Sequence, residues 1–180
     1  MLPEEIVLPT TQPETEWVRG RPRAKVSPTR DHARVQSRLA AALDAWAGSR
    51  GEVGTEWRFR LAPPGEPRRP LVPDVAFVRV ERLRARTHAD IQAPEFPPDV
   101  AVEVLSPGED VRDLDDKIDV YLRCGVELVL VVDTQTRALL AYDIEGAQRF
   151  SGCETFRHAA LPEFALDLAP FFAAALDLPM

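Results

Sequence analysis

"DVAVEVLSPGEDVRDLDDKIDVYLRCG", residues 99–125, changes its period halfway. Val100 to Leu105 is a short run, apolar on both faces except for one residue, and reads as a central strand. Leu114, Ile118, Tyr121 and Leu122 then recur at helical spacing, which predicts an amphipathic helix from about Val111 to Cys124, with Gly125 just past its end. Ser106 and Pro107 make the turn between them. Two ionisable residues break the apolar faces: Glu103 in the strand, and Lys117, the one lysine among five acids from Asp110 to Asp119. On a two-residue period Glu103 shares a face with Ala101 and Leu105, opposite Val100, Val102 and Val104. An unpaired carboxylate buried there costs on the order of several kcal/mol, so it calls for a cation: a metal, a lysine or an arginine.

The preceding strand supplies a second acid. "PDVAFV", residues 73–78, places Asp74 after Pro73, at a strand start. If the two strands pair, Asp74 and Glu103 converge and repel unless a cation lies between them. A hard divalent ion with oxygen ligands, such as Mg²⁺, resolves this and can activate water. Lys117 falls on the sheet-facing side of its helix, from which an ammonium could orient water or hold a phosphate. Ordinary readings exist for all three. Asp113 and Lys117 stand at i, i+4, a routine surface bridge; Asp74 could cap a turn; Glu103 could pair with an arginine. The residues by themselves leave these alternatives open.

The rest of the chain is consistent with one sheet and its covering helices. "VSPTRDHARVQSRLAAALDAWAG", 26–48, predicts a helix capped by Ser27 or Thr29. "EVGTEWRFRLA", 52–62, alternates as one half-exposed strand, and "LVPDVAFVRV", 71–80, reads as the next. A proline-containing connection spans 81–98. "VELVLVVD", 126–133, and "RALLAYDI", 137–144, read as further strands, and the tail 161–178 as a loop and a short helix. Residues 1–16, rich in Pro, Glu and Thr, read as a flexible N-terminal extension, and 17–180 as a single domain. The fold class expected is mixed α+β, a central mixed sheet flanked by helices.

Composition narrows the function. With 180 residues and 45% apolar content the chain can build a real core, and no apolar run approaches the roughly 20 residues of a membrane span. The N-terminus has neither a basic nor an apolar region of the secretory kind. Cys124 and Cys153 match no metal spacing and read as reduced thiols of a cytoplasmic protein. The net charge of −7 argues mildly against a nucleic-acid partner, but the distribution softens this. From Trp17 to Ala40 seven basic residues face one acid, Asp31, a local charge of +6 that leaves −13 elsewhere. Arg23, Lys25, Arg30 and Arg34 are candidates for phosphate contact, or else a solvated helix face with a basic lead-in. His32, His88 and His158 have no zinc spacing, and His32 reads as a helix-surface residue. Ser106 lies in "LSPG", not in a nucleophile elbow.

"PDVAFV", "PPDVAVEVLSPG", the spaced Asp and Lys before Tyr121, and "GVELVLVVD" together resemble the Uma-two family of restriction-endonuclease-like proteins, placed in the PD-(D/E)XK nuclease superfamily. "KVSPTRDHARVQSRLAAAL" and "LPEFALDL" extend the resemblance over roughly residues 17–172. It implies a restriction-endonuclease-like core in which Asp74 and Glu103 bind Mg²⁺ or Mn²⁺. The superfamily lysine stands two positions after the acid, where this chain has Leu105, and the resemblance implies that Lys117 takes its role from the following helix. Many members carry an acid shortly after a glycine near the N-terminus; here Arg21 follows Gly20. Gln36 and Tyr121 are implied as supporting residues. The expected activity is metal-dependent endonucleolytic hydrolysis of nucleic acid, DNA first, by a homodimer. The second reading is a catalytically inactive nucleic-acid- or protein-binding module on the same fold.

Overall fold

The computed structural model describes residues 4–11, 13–25 and 27–178. In chain order the strands are β1 (Thr15–Val18), β2 (Arg21–Ala24), β3 (Gly51–Thr55), β4 (Phe59–Leu61), β5 (Arg69–Leu71), β6 (Val75–Arg79), β7 (Val100–Leu105), β8 (Leu128–Asp133), β9 (Ala138–Asp143), β10 (Gly146–Ser151), β11 (Thr155–Phe156) and β12 (Leu166–Asp167). The helices are α1 (Arg30–Ala47), α2 (Val80–Arg84), α3 (His88–Gln92), α4 (Val111–Arg123) and α5 (Leu168–Leu176). This is a mixed α+β fold. Its central sheet runs β10-β9-β8-β7-β6-β3, with β7 and β8 parallel through α4 and every other pair antiparallel.

The two-residue alternation of β7 divides the core into two layers. Val100, Val102 and Val104 face α1 and α5, packing with Val35, Leu39, Leu43, Leu130 and Phe172. Ala101 and Glu103 face the other way, where Ile118 and Tyr121 of α4 pack with Phe59, Leu71, Val129 and Val131. Thr29 caps α1, its hydroxyl accepting from the His32 N–H. Asp110 caps α4 by accepting from the Arg112 N–H. Gly125, at φ 90°, lets the chain leave α4 in a conformation that side chains disfavour.

The structure departs from the sequence reading where chain direction changes without a strong local signal. The strand expected over 52–62 is two strands in different sheets. Glu56, at φ 52°, turns the chain between β3 and β4, and the Trp57 ring packs against Gly54. The strand expected over 71–80 breaks at Val72–Asp74, around Pro73, which has no N–H for a ladder. The connection 81–98 contains α2 and α3, and β10 to β12 add three strands to the C-terminal region. Residues 15–24, read partly as extension and partly as basic lead-in, form a β1–β2 hairpin turned by Arg19 and Gly20, both at positive φ. The boundary drawn between residues 16 and 17 therefore runs through β1.

Candidate active site

β6 and β7 pair with Val75 opposite Val102. Asp74, one residue before β6, therefore meets the end of β7, where its Oδ2 accepts from the Val104 N–H at 2.6 Å. Glu103 projects from β7 toward α4. Its Oε2 accepts from Lys117 Nζ at 2.6 Å and its Oε1 from the Tyr121 hydroxyl at 2.8 Å. Lys117 and Tyr121 stand one turn apart on the buried face of α4. The pattern that predicted an amphipathic helix thus delivers both polar tips to one carboxylate.

The β1–β2 hairpin closes the site from the side. Glu16, on β1, accepts from Lys117 at 3.1 Å and, through its other oxygen, from the Val72 N–H at 2.7 Å. Lys25, just after β2, donates to Asp74 Oδ1 at 2.6 Å and to the Val72 carbonyl at 2.9 Å, and lies 2.9 Å from Glu56. Arg19 and Arg23 pair with Asp113 at 3.3 and 2.7 Å and fasten the hairpin to α4. From α1, His32 places Nδ1 at 2.9 Å from the Ser106 hydroxyl and Nε2 at 3.5 Å from Asp74. Gln36 donates to the Asp74 carbonyl and to Glu56, both at 2.9 Å. These side chains surround a hollow of about 200 Å³ lined by Glu16, Lys25, His32, Asp74, Glu103 and Lys117.

Three buried carboxylates meet one buried ammonium, Lys117, and one half-buried ammonium, Lys25. Glu16, Asp74, Glu103 and Lys117 are each no more than 4% exposed. Burial works against the Asp74 anion, but the His32 contact and the charges of Lys25 and Lys117 outweigh it, holding its carboxyl well below the usual range. Burial pushes Glu103 up to about 8; Lys117 opposes this, and Asp74 and Glu16 add to it. Burial would lower both lysines, yet the surrounding carboxylates raise them, so both stay charged. Burial and the Glu103 charge lift the Tyr121 hydroxyl far above its ordinary value, keeping it a neutral donor. The pocket has one carboxylate more than it has ammonium groups, so it favours a proton or an added cation.

Among the described residues no three His, Cys, Asp or Glu side chains surround one point as a complete metal set. Asp74 and Glu103 nevertheless offer hard oxygen atoms to one pocket, and Mg²⁺ is commonly held by one or two carboxylates with waters and substrate completing its shell. The residues present fit such an ion.

Asp74, Glu103, Lys117, Tyr121 and Gln36 are brought together, as the sequence reading grouped them. Lys25 sits inside the pocket on Asp74 and is not a free surface cation; Arg23 lies at the rim. Arg30 and Arg34 are directed elsewhere. Arg34 donates to the carbonyls of Ala174 and Ala175, and Arg30 to that of Leu176, so both cap the C-terminal end of α5. His32 is buried, not on the helix surface, because the helix face that carries Val35 and Leu39 also turns it toward Ser106. Glu16 was missed. It precedes Trp17 in a stretch with no visible period, and only hairpin formation buries it.

The family signature of Uma2, described as "Putative restriction endonuclease", matches residues 3–169. A solved structure of a "putative nuclease belonging to DUF820" from Anabaena variabilis ATCC 29413 superposes with a TM-score of 0.83 at 20% identity, covering 94% of this chain and 95% of that one. At that identity the likeness establishes the fold. Comparison with curated proteins gives no match. No helix among the described residues is long and apolar enough to cross a membrane. With its signature matched over most of its length and its architecture shared, the chain belongs to the Uma2 (Uma-two) family of restriction-endonuclease-like proteins.

Proposed function

We propose that this protein is an endonuclease that hydrolyses phosphodiester bonds in nucleic acid, DNA first, with a divalent cation held by Asp74 and Glu103. The observation that carries the reading is the buried pair of carboxylates, Asp74 just before β6 and Glu103 on the paired β7, facing a pocket that also contains Lys117. Bound there, Mg²⁺ or Mn²⁺ would supply a Lewis acid and lower the pKa of its water. Asp74 is pre-set by the Val104 N–H, and Glu103 by Tyr121, so neither carboxylate has to search for its rotamer. Lys117 keeps its charge in the pocket and can orient an attacking water or stabilise charge on the phosphate. Lys25, bonded to Asp74, offers a second ammonium to the same pocket. Gln36 and His32 brace Asp74 from α1.

One observation favours the second reading, a non-catalytic binding module: each carboxylate already has a lysine at 2.6 Å. Cleavage of plasmid, single-stranded DNA and RNA with Mg²⁺ or Mn²⁺ decides between them. Metal-dependent cleavage that disappears in Asp74→Ala and in Lys117→Ala establishes the nuclease and its site. Absence of cleavage, with no calorimetric signal for either metal, establishes the binding module. A homodimer and a cytoplasmic location belong to the same proposal; sedimentation and cell fractionation test them.

A further inference from the structure

The N-terminal segment lies along a row of arginines. In β4, Phe59 and Leu61 point into the core and Arg60 between them points out; Arg58, just before the strand, is half-buried and pairs with Glu14. Phe59 pairs with Leu71, so Arg58 and Val72, whose backbone holds Glu16 and Lys25, both lie just beyond the same end of that ladder. The row therefore begins at the end of the ladder that carries Val72, on whose backbone two pocket side chains rest. It continues through Arg60 to Arg68, both of which reach Glu95, at 3.1 and 3.2 Å. Arg60, Arg68, Arg86 and Phe96 then line a second hollow of about 450 Å³, with the Arg86 guanidinium 5.3 Å over the Phe96 ring. The Arg68 Nε is buried there without a hydrogen-bond partner among the described residues.

Residues 4–16 contain four glutamates and no basic residue. The Ile6 N–H donates to the Arg68 carbonyl at 2.7 Å and the Arg68 N–H to the Glu4 carbonyl at 3.0 Å, so the segment follows the outer edge of β5. Along that path Glu5 takes Arg60 at 2.6 Å, Glu14 takes Arg58, and Glu16 takes Lys117. Glu5, Glu14 and Glu16 thus present successive anions to successive cations, the last of them in the pocket. A phosphodiester backbone presents charge in the same way.

We propose that Arg58, Arg60 and Arg68 form a track for a nucleic-acid backbone leading into the pocket, and that the chain's own acidic residues 4–16 occupy it in the free protein. The inference rests on nucleic acid being the ligand of the site, though not on cleavage. It accounts for a nucleic-acid-binding face on a chain of net charge −7, because the track is neutralised internally until a polyanion displaces the segment.

The test is fluorescence anisotropy of a fluorescein-labelled oligonucleotide, single-stranded and duplex, with the full-length protein in chelator so that nothing is cut. Glu5→Gln combined with Glu14→Gln removes one carboxylate charge each from Arg60 and Arg58, leaving Glu95 on Arg60. Affinity should rise several-fold at low salt, and the slope of log K against log [salt] should steepen by roughly one to two. Arg58→Ala with Arg60→Ala in that background should erase the gain. If the double variant melts below the assay temperature, Glu5→Gln alone serves, with about half the slope change. Unchanged or absent binding in the folded carboxylate variants overturns the track. Metal-dependent cleavage with unchanged binding would sink the track and leave the nuclease standing; a gain in binding without any cleavage would do the reverse.

Discussion

Glu103 is an acid whose folded state holds its proton to about pH 8, against an ordinary value of 4.5. Between those values the unfolded chain has released a proton that the metal-free folded chain keeps. Stability should therefore fall as pH rises through that window. Asp74 has the opposite sign: its depressed carboxyl contributes stability that is complete above the ordinary carboxylate range and is lost only in acid. Urea midpoints measured across the window should decline for the wild type and stay flatter for Glu103→Gln; parallel curves would show that Glu103 is ionised in the fold. Lys117→Met leaves Glu103 and Glu16 facing each other without their shared ammonium, and should lower unfolding free energy by about 3 kcal/mol. Cys124 and Cys153 should also separate. Burial pushes the Cys124 thiol up to about 11, while Cys153 is exposed, so iodoacetamide should label Cys153 first.

Among the elements, β7 and α4 were legible because each side-chain period is regular and long enough to fix a face. Glu103 and Lys117 stood out against those periods as exceptions, and they meet at 2.6 Å. The β1–β2 hairpin was illegible. It is short, has no apolar alternation, and forms by docking Val18 beneath α4 and Glu16 onto Val72. β3 shows how little local sequence can reveal about register. A Cβ on Gly51 would come 2.1 Å from the Val78 carbonyl oxygen of the paired strand. Gly51→Ala should therefore cost about 1–3 kcal/mol, read from chemical denaturation. A variant as stable as the wild type would place the β3 edge elsewhere.

In the whole molecule, one sheet separates two chemically different layers. The face toward α1 and α5 is a continuous apolar core, and Leu130→Ala within it should cost about 2–5 kcal/mol. The proposed nucleic-acid track follows β4 and β5, whose Phe59, Leu61 and Leu71 pack in the opposite layer, so this variant, assayed below its melting temperature, should retain oligonucleotide affinity. Loss of binding in proportion to loss of stability would show that the layers are not independent. The basic stripe also divides at this scale: Lys25 and Arg23 serve the pocket, while Arg30 and Arg34 tie α1 to the end of α5.

The sequence by itself determined the central strand, the helix that follows it and the mixed sheet, and it offered Asp74, Glu103 and Lys117 as one group with a surface bridge, a turn cap and an arginine partner as open alternatives. Those follow from side-chain period and from the cost of burying a lone charge, both of which are local. Only the tertiary structure decided that Glu16, Lys25 and His32 join them, that Arg58, Arg60 and Arg68 lie against the N-terminal segment, and that Arg30 and Arg34 do not reach the pocket. A polar side chain carries no mark of its partner. Its place is set by which distant backbone the chain folds against, as when Val72 presents its N–H to Glu16 and its carbonyl to Lys25.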